Sequence, residues 1–170
     1  MLANSQIKTT GDISAIIEYD NGKKYTIEFP NTVLVTGRSA LAQMLTNTLG
    51  FCPTTTGSST NNLVPSLYIN AILFGTNGVD GNTPRVVSPA RTTLYGPTVA
   101  NKPVNAYVNQ SVSTQAIFSS TLLYTDAVND KLSEMALQMT NGSLYSMVTF
   151  PPIDKTAQMQ ITFNWILNFV

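Results

Sequence analysis

Met159-Gln-Ile-Thr-Phe-Asn-Trp-Ile-Leu-Asn-Phe169 places Met159, Ile161, Phe163, Trp165, Leu167 and Phe169 at every second position, with Gln160, Thr162, Asn164 and Asn168 between them. Side chains of a strand point alternately to its two faces, so this stretch reads as one long strand with an apolar face and a polar face. The apolar row runs to the last residues of the sequence, which predicts a carboxyl end held in a sheet or an interface. Trp165 keeps the phase of that row and reads as a core or interface anchor.

Upstream, Leu132 to Phe150 reads as a hairpin turning at Thr140-Asn141-Gly142. A three-residue loop there sets Leu137 opposite Tyr145 and Met135 opposite Met147, leaving Ala136 across from Ser146. Pro151-Pro152 then reads as a break before the last strand, and Thr114 to Thr125 as another strand. Near the start, Ile13, Ala15, Ile17 and Tyr19 alternate, as do Tyr25, Ile27 and Phe29, around Asp20-Asn21-Gly22. A two-residue Asn-Gly turn would pair Ala15 with Glu28 and Ile17 with Thr26, throwing the two apolar rows onto opposite faces. A three-residue loop with Gly22 left-handed instead sets Ile17 opposite Tyr25, Ala15 opposite Ile27 and Glu18 opposite Lys24.

After Pro30, Asn31 to Val35 reads as extended. Ala40, Leu41, Met44, Leu45 and Leu49 then recur on one helical face. This predicts a short α-helix near residues 37–49, capped by Thr36 or Ser39, stopped by Gly50 and Pro53, and plugging one open side or end of the sheets. Residues 51–62 have the Thr, Ser, Gly and Asn composition of an exposed loop. Leu67, Ile69, Ala71, Leu73 and Phe74 read as a strand running into a Gly75 to Asn82 loop. Residues 94–109 carry Pro97 and Pro103, so they form an edge strand or an extended arm. Together these elements predict a mainly β chain: a single antiparallel, jelly-roll-like β-sandwich domain over residues 1–170.

Charged residues make up 11% of the 170 residues, against about 25% in an average soluble domain. Nine basic and nine acidic residues cancel, and Asn, Thr, Ser and Gln supply the polarity. Such a surface has little charge to repel other copies and little to desolvate on contact, which points to assembly. It argues against a nucleic-acid partner, since Lys23-Lys24 is the one adjacent basic pair and sits beside a turn. No apolar run approaches the roughly 18 residues of a membrane span. Met1 to Gly11 lacks the features of a signal peptide, so folding in a cytoplasm is expected.

Histidine is absent, which removes the commonest general base. Lone Cys52 then reads as inert. The carboxylates Glu18, Glu28, Asp126, Asp130, Glu134 and Asp154 could furnish a glycosidase pair, but Glu18 has Lys24 as a natural partner, Asp126 and Asp130 sit in a turn-like connector, and Asp154 with Lys155 follows two prolines. The Gly75 to Asn82 loop lacks the Lys and Ser/Thr of a nucleotide loop and reads as a plain turn. No catalytic, cofactor-binding or metal residue is assigned. Tyr95, Tyr107 and Tyr124 are candidate stacking platforms for the competing reading, a carbohydrate-binding attachment module.

Glu134-Met-Ala-Leu-Gln-Met-Thr-Asn-Gly-Ser-Leu-Tyr145, Thr149-Phe-Pro-Pro-Ile-Asp-Lys-Thr156 and the alternating strand through Trp165 resemble the carboxyl half of small virion proteins of tailed bacteriophages. Asn31-Thr-Val-Leu-Val-Thr-Gly-Arg38 with Ala40-Leu-Ala42, and Phe74-Gly-Thr-Asn-Gly78, are similar to further segments of such proteins, so about half the chain carries the likeness. The resemblance implies a virion component present in many copies, made and assembled in the host cytoplasm. It would contact copies of itself and other virion proteins at the tail, baseplate or neck, or decorate the head. It brings no catalytic residues.

Overall fold

The computed structural model describes residues 9–45, 68–108, 111 and 114–169. Cys52, the 51–62 loop, Leu67, and the Leu49, Gly50 and Pro53 end of the expected helix lie outside the described residues. The elements are β1 (Thr9–Tyr19), β2 (Lys24–Pro30), β3 (Thr32–Val33), α1 (Val35–Leu45), β4 (Ile69–Gly75), β5 (Val79–Asp80), β6 (Thr83–Pro84), β7 (Thr98–Pro103), β8 (Asn105–Val108), β9 (Gln115–Leu122), β10 (Lys131–Met139), β11 (Leu144–Asp154) and β12 (Met159–Phe169). Sheet I has the order β2-β1-β12-β9-β8 and sheet II the order β3-β11-β10-β4-β7, each five-stranded, with β5 and β6 forming a small ribbon. All pairings are antiparallel and the sheets pack face to face, a β-sandwich.

The stretch 159–169 becomes the central strand of sheet I, flanked by β1 and β9. Its apolar row meets Ile72, Phe74, Met135, Leu137, Val148 and Phe150 of sheet II in one core. Phe163 stacks at 5.0 Å on Phe74, and Trp165 is 0% exposed. Burying side chains of this size stabilises the fold by about 2–3 kcal/mol each. Trp165 is therefore a core anchor and has no surface left for a neighbour.

The first hairpin has the expected register: Ile17 faces Tyr25, Ala15 faces Ile27 and Glu18 faces Lys24. Tyr19 closes the loop by donating its N–H to Lys23 O, and Gly22 sits at φ 79°. Glu18 and Lys24 form an ion pair at 3.1 Å. The Lys24 hydrogen bond, helped by one from Gln160, holds the Glu18 carboxyl below its ordinary value.

The second hairpin corrects the expectation. Its loop is the same, with Gly142 at φ 83° and Met139 N–H on Ser143 O. Beyond Gln138↔Leu144, however, the register slips by one, so Leu137 faces Ser146, Ala136 faces Met147 and Met135 faces Val148. Tyr145 is the extra residue of a β-bulge. The cause is distant in sequence: Leu34 N–H donates to Tyr145 O at 3.0 Å, and the Thr36 hydroxyl donates to Leu144 O. These two carbonyls are turned out of the ladder to receive the start of α1.

Two further expectations are corrected. Thr36 does not cap α1, because the helix begins at Val35 with Leu34 O accepting from Arg38 N–H; Thr36 ties it to β11 instead. Pro151-Pro152 does not end a strand, since β11 runs through to Asp154, and the register shift between Leu132 and Glu134 absorbs the prolines. Residues 98–103 and 105–108 become β7 and β8, the edge strands of sheets II and I. Val104 between them donates its N–H to Asn70 O at 3.1 Å, so the crossing from one sheet to the other is pinned.

Candidate assembly surface

The outer face of sheet II is covered by the segment 85–97. Val87 and Leu94 from this strap join Leu34, Leu73, Ala136, Leu144 and Met147 in a second apolar cluster. Glu134 fastens the strap. Fully buried, its carboxylate accepts N–H bonds from Asn77 (3.1 Å) and Gly96 (3.0 Å) through Oε1 and from Tyr95 (2.7 Å) through Oε2. Beside it, Gly78 N–H donates to Ser133 Oγ at 2.9 Å. A Cβ on Gly78 would lie 2.0 Å from the Ser133 carbonyl oxygen, so only glycine fits. The Gly75 to Asn82 loop is thus wrapped against a carboxylate, and Glu134 commits its acceptor capacity to backbone.

The strap also settles the place of Tyr95. Arg91 lies 3.5 Å and Arg85 5.3 Å from its ring centroid, and its hydroxyl donates to Val86 O at 3.0 Å. This ring is engaged within the fold and is not a free stacking platform. Tyr124 is half-buried, whereas Tyr107 is 53% exposed.

The other singled-out carboxylates do not converge. Asp154 pairs with Lys131 at 3.7 Å on the surface, and Glu28 is exposed on β2. Asp126 accepts the Leu123 N–H at 2.7 Å and pairs with Lys102 at 2.5 Å. Desolvation pushes its pKa up, but the bonds from Lys102 and Leu123 and the charges of Lys102 and Lys155 outweigh this and hold it below the ordinary aspartate value. Lys155, noted in the sequence as following two prolines beside Asp154, is fully buried; its amine donates to Thr156 O at 2.9 Å and Tyr124 O at 3.5 Å. Burial pulls its pKa down, partly offset by Asp126. The surrounding connector contains Ala127 (φ 48°) and Asn129 (φ 70°), left-handed positions that wrap it around the lysine. Among the described residues, no three acidic or thiol side chains gather to hold a metal ion, and no helix is long and apolar enough to cross a membrane.

An apolar cavity of about 230 Å³ lies at one end of the sandwich, lined by residues that include Ala40, Tyr68, Ile69, Phe118, Met139, Tyr145 and Leu167. Burial raises the pKa of Tyr145, so the cavity wall stays neutral, and the lining brings no acid, base or nucleophile pair together.

Among the described residues, sheet I has no counterpart of the strap. Its outer face carries a ladder of polar side chains bonded straight across the strands, interspersed with Ile16, Ile117 and Ile166; it is uncharged over β9 and β12 and bears Asp12, Glu18, Lys24 and Glu28 on β1 and β2. Gln115 Nε2 donates to Asn168 Oδ1 (2.8 Å), Ser119 Oγ donates to Asn164 Oδ1 (2.9 Å), the Thr121 and Thr162 hydroxyls bond at 2.9 Å, and Gln160 Nε2 donates to Glu18 Oε2 (3.2 Å). Each pair is directly opposite in the register. Thr162, Asn164 and Asn168 of the 159–169 stretch are thus bonded to uncharged partners on β9, and Gln160 to the Glu18 carboxylate on β1. Both edges of this sheet expose large apolar side chains: Tyr25 (55%) and Ile27 (37%) on β2, Tyr107 (53%) and Val108 (59%) on β8. Tyr25 and Ile27 continue the core-facing row of the first hairpin, but the facing edge strand β3 is two residues long and leaves them uncovered.

Of these residues, sequence reading singled out Tyr107 and the polar row of 159–169; it placed Tyr25 and Ile27 on the apolar face of the first hairpin and missed Val108. The available signal was the absence of charge across the β8–β9 region. Of the segments quoted for the virion-protein resemblance, 31–38, 74–78 and 134–145 meet around the β10–β11 hairpin, through the Leu34 and Thr36 bonds, the Glu134 carboxylate and Gly78. No family model matches the chain, and no curated protein or solved structure matches it either.

Proposed function

We propose that this chain is a non-enzymatic structural subunit of a tailed-phage particle, working by protein contacts at the tail, baseplate or neck, with decoration of the head as the alternative placement. The observation that carries the assembly reading is sheet I: an outer face that the described residues leave uncovered, uncharged over β9 and β12 and bonded across its strands, between two edges that expose Tyr25, Ile27, Tyr107 and Val108. Such a surface loses little on desolvation, because its polar groups keep their partners when water leaves. The commitment of Glu134 and Lys155 to backbone groups supports a non-enzymatic role. The phage setting rests on the resemblance of the segments around β10 and β11.

Gel filtration with light scattering, together with cross-linking mass spectrometry of intact particles, tests this reading. The expected result is a defined oligomer, with cross-links mapping to the flanks of sheet I. A strict monomer at high concentration that binds no purified particle overturns it. A glycan-binding reading draws on exposed Tyr107 beside a neutral hydrogen-bonding face. It requires a glycan-array signal that Tyr107→Ala abolishes, whereas a building block gives no signal to lose.

A further inference from the structure

The edges of the two sheets are not alike. Three carry devices that discourage pairing with another chain. β2 bears Lys24 and Glu28 and ends in Pro30, β3 is two residues long, and β7 carries Lys102 and lies between Pro97 and Pro103. Charge, proline and shortness are the usual protections of an open edge. β8, Asn105-Ala-Tyr-Val108, is short at four residues but carries neither charge nor proline; the sequence is free of Asp, Glu, Lys and Arg from Pro103 to Thr125, and all four residues of the strand are exposed.

We infer that β8 is a homotypic docking edge, at which a second copy of this chain pairs its own β8 antiparallel across a twofold axis perpendicular to sheet I. The inference rests on the assembly reading above and names its first contact. Strand direction selects the partner. Sheet I is antiparallel throughout and has five strands, so β2 and β8 run the same way. Joining β8 of one copy to β2 of the next by translation would make a parallel pair at a charged edge. Joining β8 to β8 by the twofold continues the antiparallel pattern between uncharged edges and closes the assembly as a dimer.

The side chains suit that operation. Ala106 and Val108 share the core-facing side with their partners Phe118 and Ala116, while Tyr107 lies on the outer side opposite Ile117. A register centred on Tyr107 sets Ala106 opposite Val108 of the partner copy twice over, and Tyr107 against its own copy. Small-to-branched and aromatic pairs of this kind favour antiparallel pairing. β7 ends next to β8 on the same flank, and its Lys102 is already neutralised by Asp126 at 2.5 Å.

Sedimentation velocity of the full chain over a roughly hundredfold concentration range should show a reversible dimer, weak for so short an edge. Tyr107→Lys should weaken it by about tenfold or more, with the unfolding midpoint unchanged, while Thr26→Lys on β2 should leave it intact. In a Cys52→Ser background, Tyr107→Cys should give a disulfide-linked dimer under mild oxidation. A wild-type chain that stays monomeric, a dimer indifferent to Tyr107→Lys, or the lack of a cross-link in the Tyr107→Cys variant overturns the inference. Self-association that persists in Tyr107→Lys but is lost in Ile27→Lys would sink the β8 edge and leave the assembly reading standing. A monomer that also ignores purified particles would sink both.

Discussion

Glu134 and Lys155 are the two charged side chains that the described residues bury, and each is satisfied almost wholly by backbone. Glu134→Ala would leave two strap amides and the Asn77 amide without an acceptor and should cost about 3–5 kcal/mol in urea unfolding. Glu134→Gln keeps one acceptor oxygen but turns an amide against the donors, and should cost about 1–3 kcal/mol. Lys155 carries the opposite lesson. Its folded pKa lies below the ordinary lysine value of 10.5, so the native state sheds this proton before the unfolded chain does, and stability gains from this group as pH climbs from neutral toward 10.5. Above 10.0 the raised Tyr145 pKa pulls the other way. Comparing urea midpoints of wild type and Lys155→Met between neutral pH and pH 10.0 isolates the lysine, since the wild-type rise should be absent from the variant. Neither burial was legible in the sequence. Glu134 is buried because the 85–97 strap crosses its sheet, and Lys155 because the connector around Ala127 and Asn129 folds over it.

At the scale of elements, the hairpin loops were legible because their causes are local. Asp20-Asn21-Gly22 and Thr140-Asn141-Gly142 each place a glycine where φ is positive, and the pairing on the strand side follows. Gly22→Ala should cost about 1–2 kcal/mol with the Glu18 to Lys24 register retained, readable as a lower melting temperature with an unchanged fold by NMR. The register beyond Leu144 was not legible. β10 is buried on both faces, so alternation gives no preference there, and the bulge at Tyr145 answers to Leu34 and Thr36, over a hundred positions away. The same distant contact moves the start of α1 to Val35.

For the whole molecule, the sequence reveals the β-sandwich but not its asymmetry. Period-two patterns identify strands, and the pattern of sheet I, covered on one face, is clean. In β4 the strap adds a second apolar face, Ala71 and Leu73, and in β10 it buries Glu134 and Ala136, so the period-two pattern no longer tells a covered face from an open one. Nor does the sequence say that β8 ends a sheet; that follows only from the strand order. If copies associate through the β8 side of sheet I, the contact is neutral, so its strength should change less than roughly threefold between low salt and several times physiological salt. Sedimentation at the two ionic strengths checks this, and a steep loss of association would point to the charged β2 side instead.

Trp165 is the protein's single tryptophan, and among the described residues its indole N–H has no partner within the main hydrophobic core. Its fluorescence should therefore be strongly blue-shifted and inaccessible to aqueous quenchers. Because the ring sits midway between the two flanks of its sheet, docking at either edge should leave the emission unmoved, while any rupture of the sandwich should redden it. One intrinsic signal thus separates loss of partners from loss of structure.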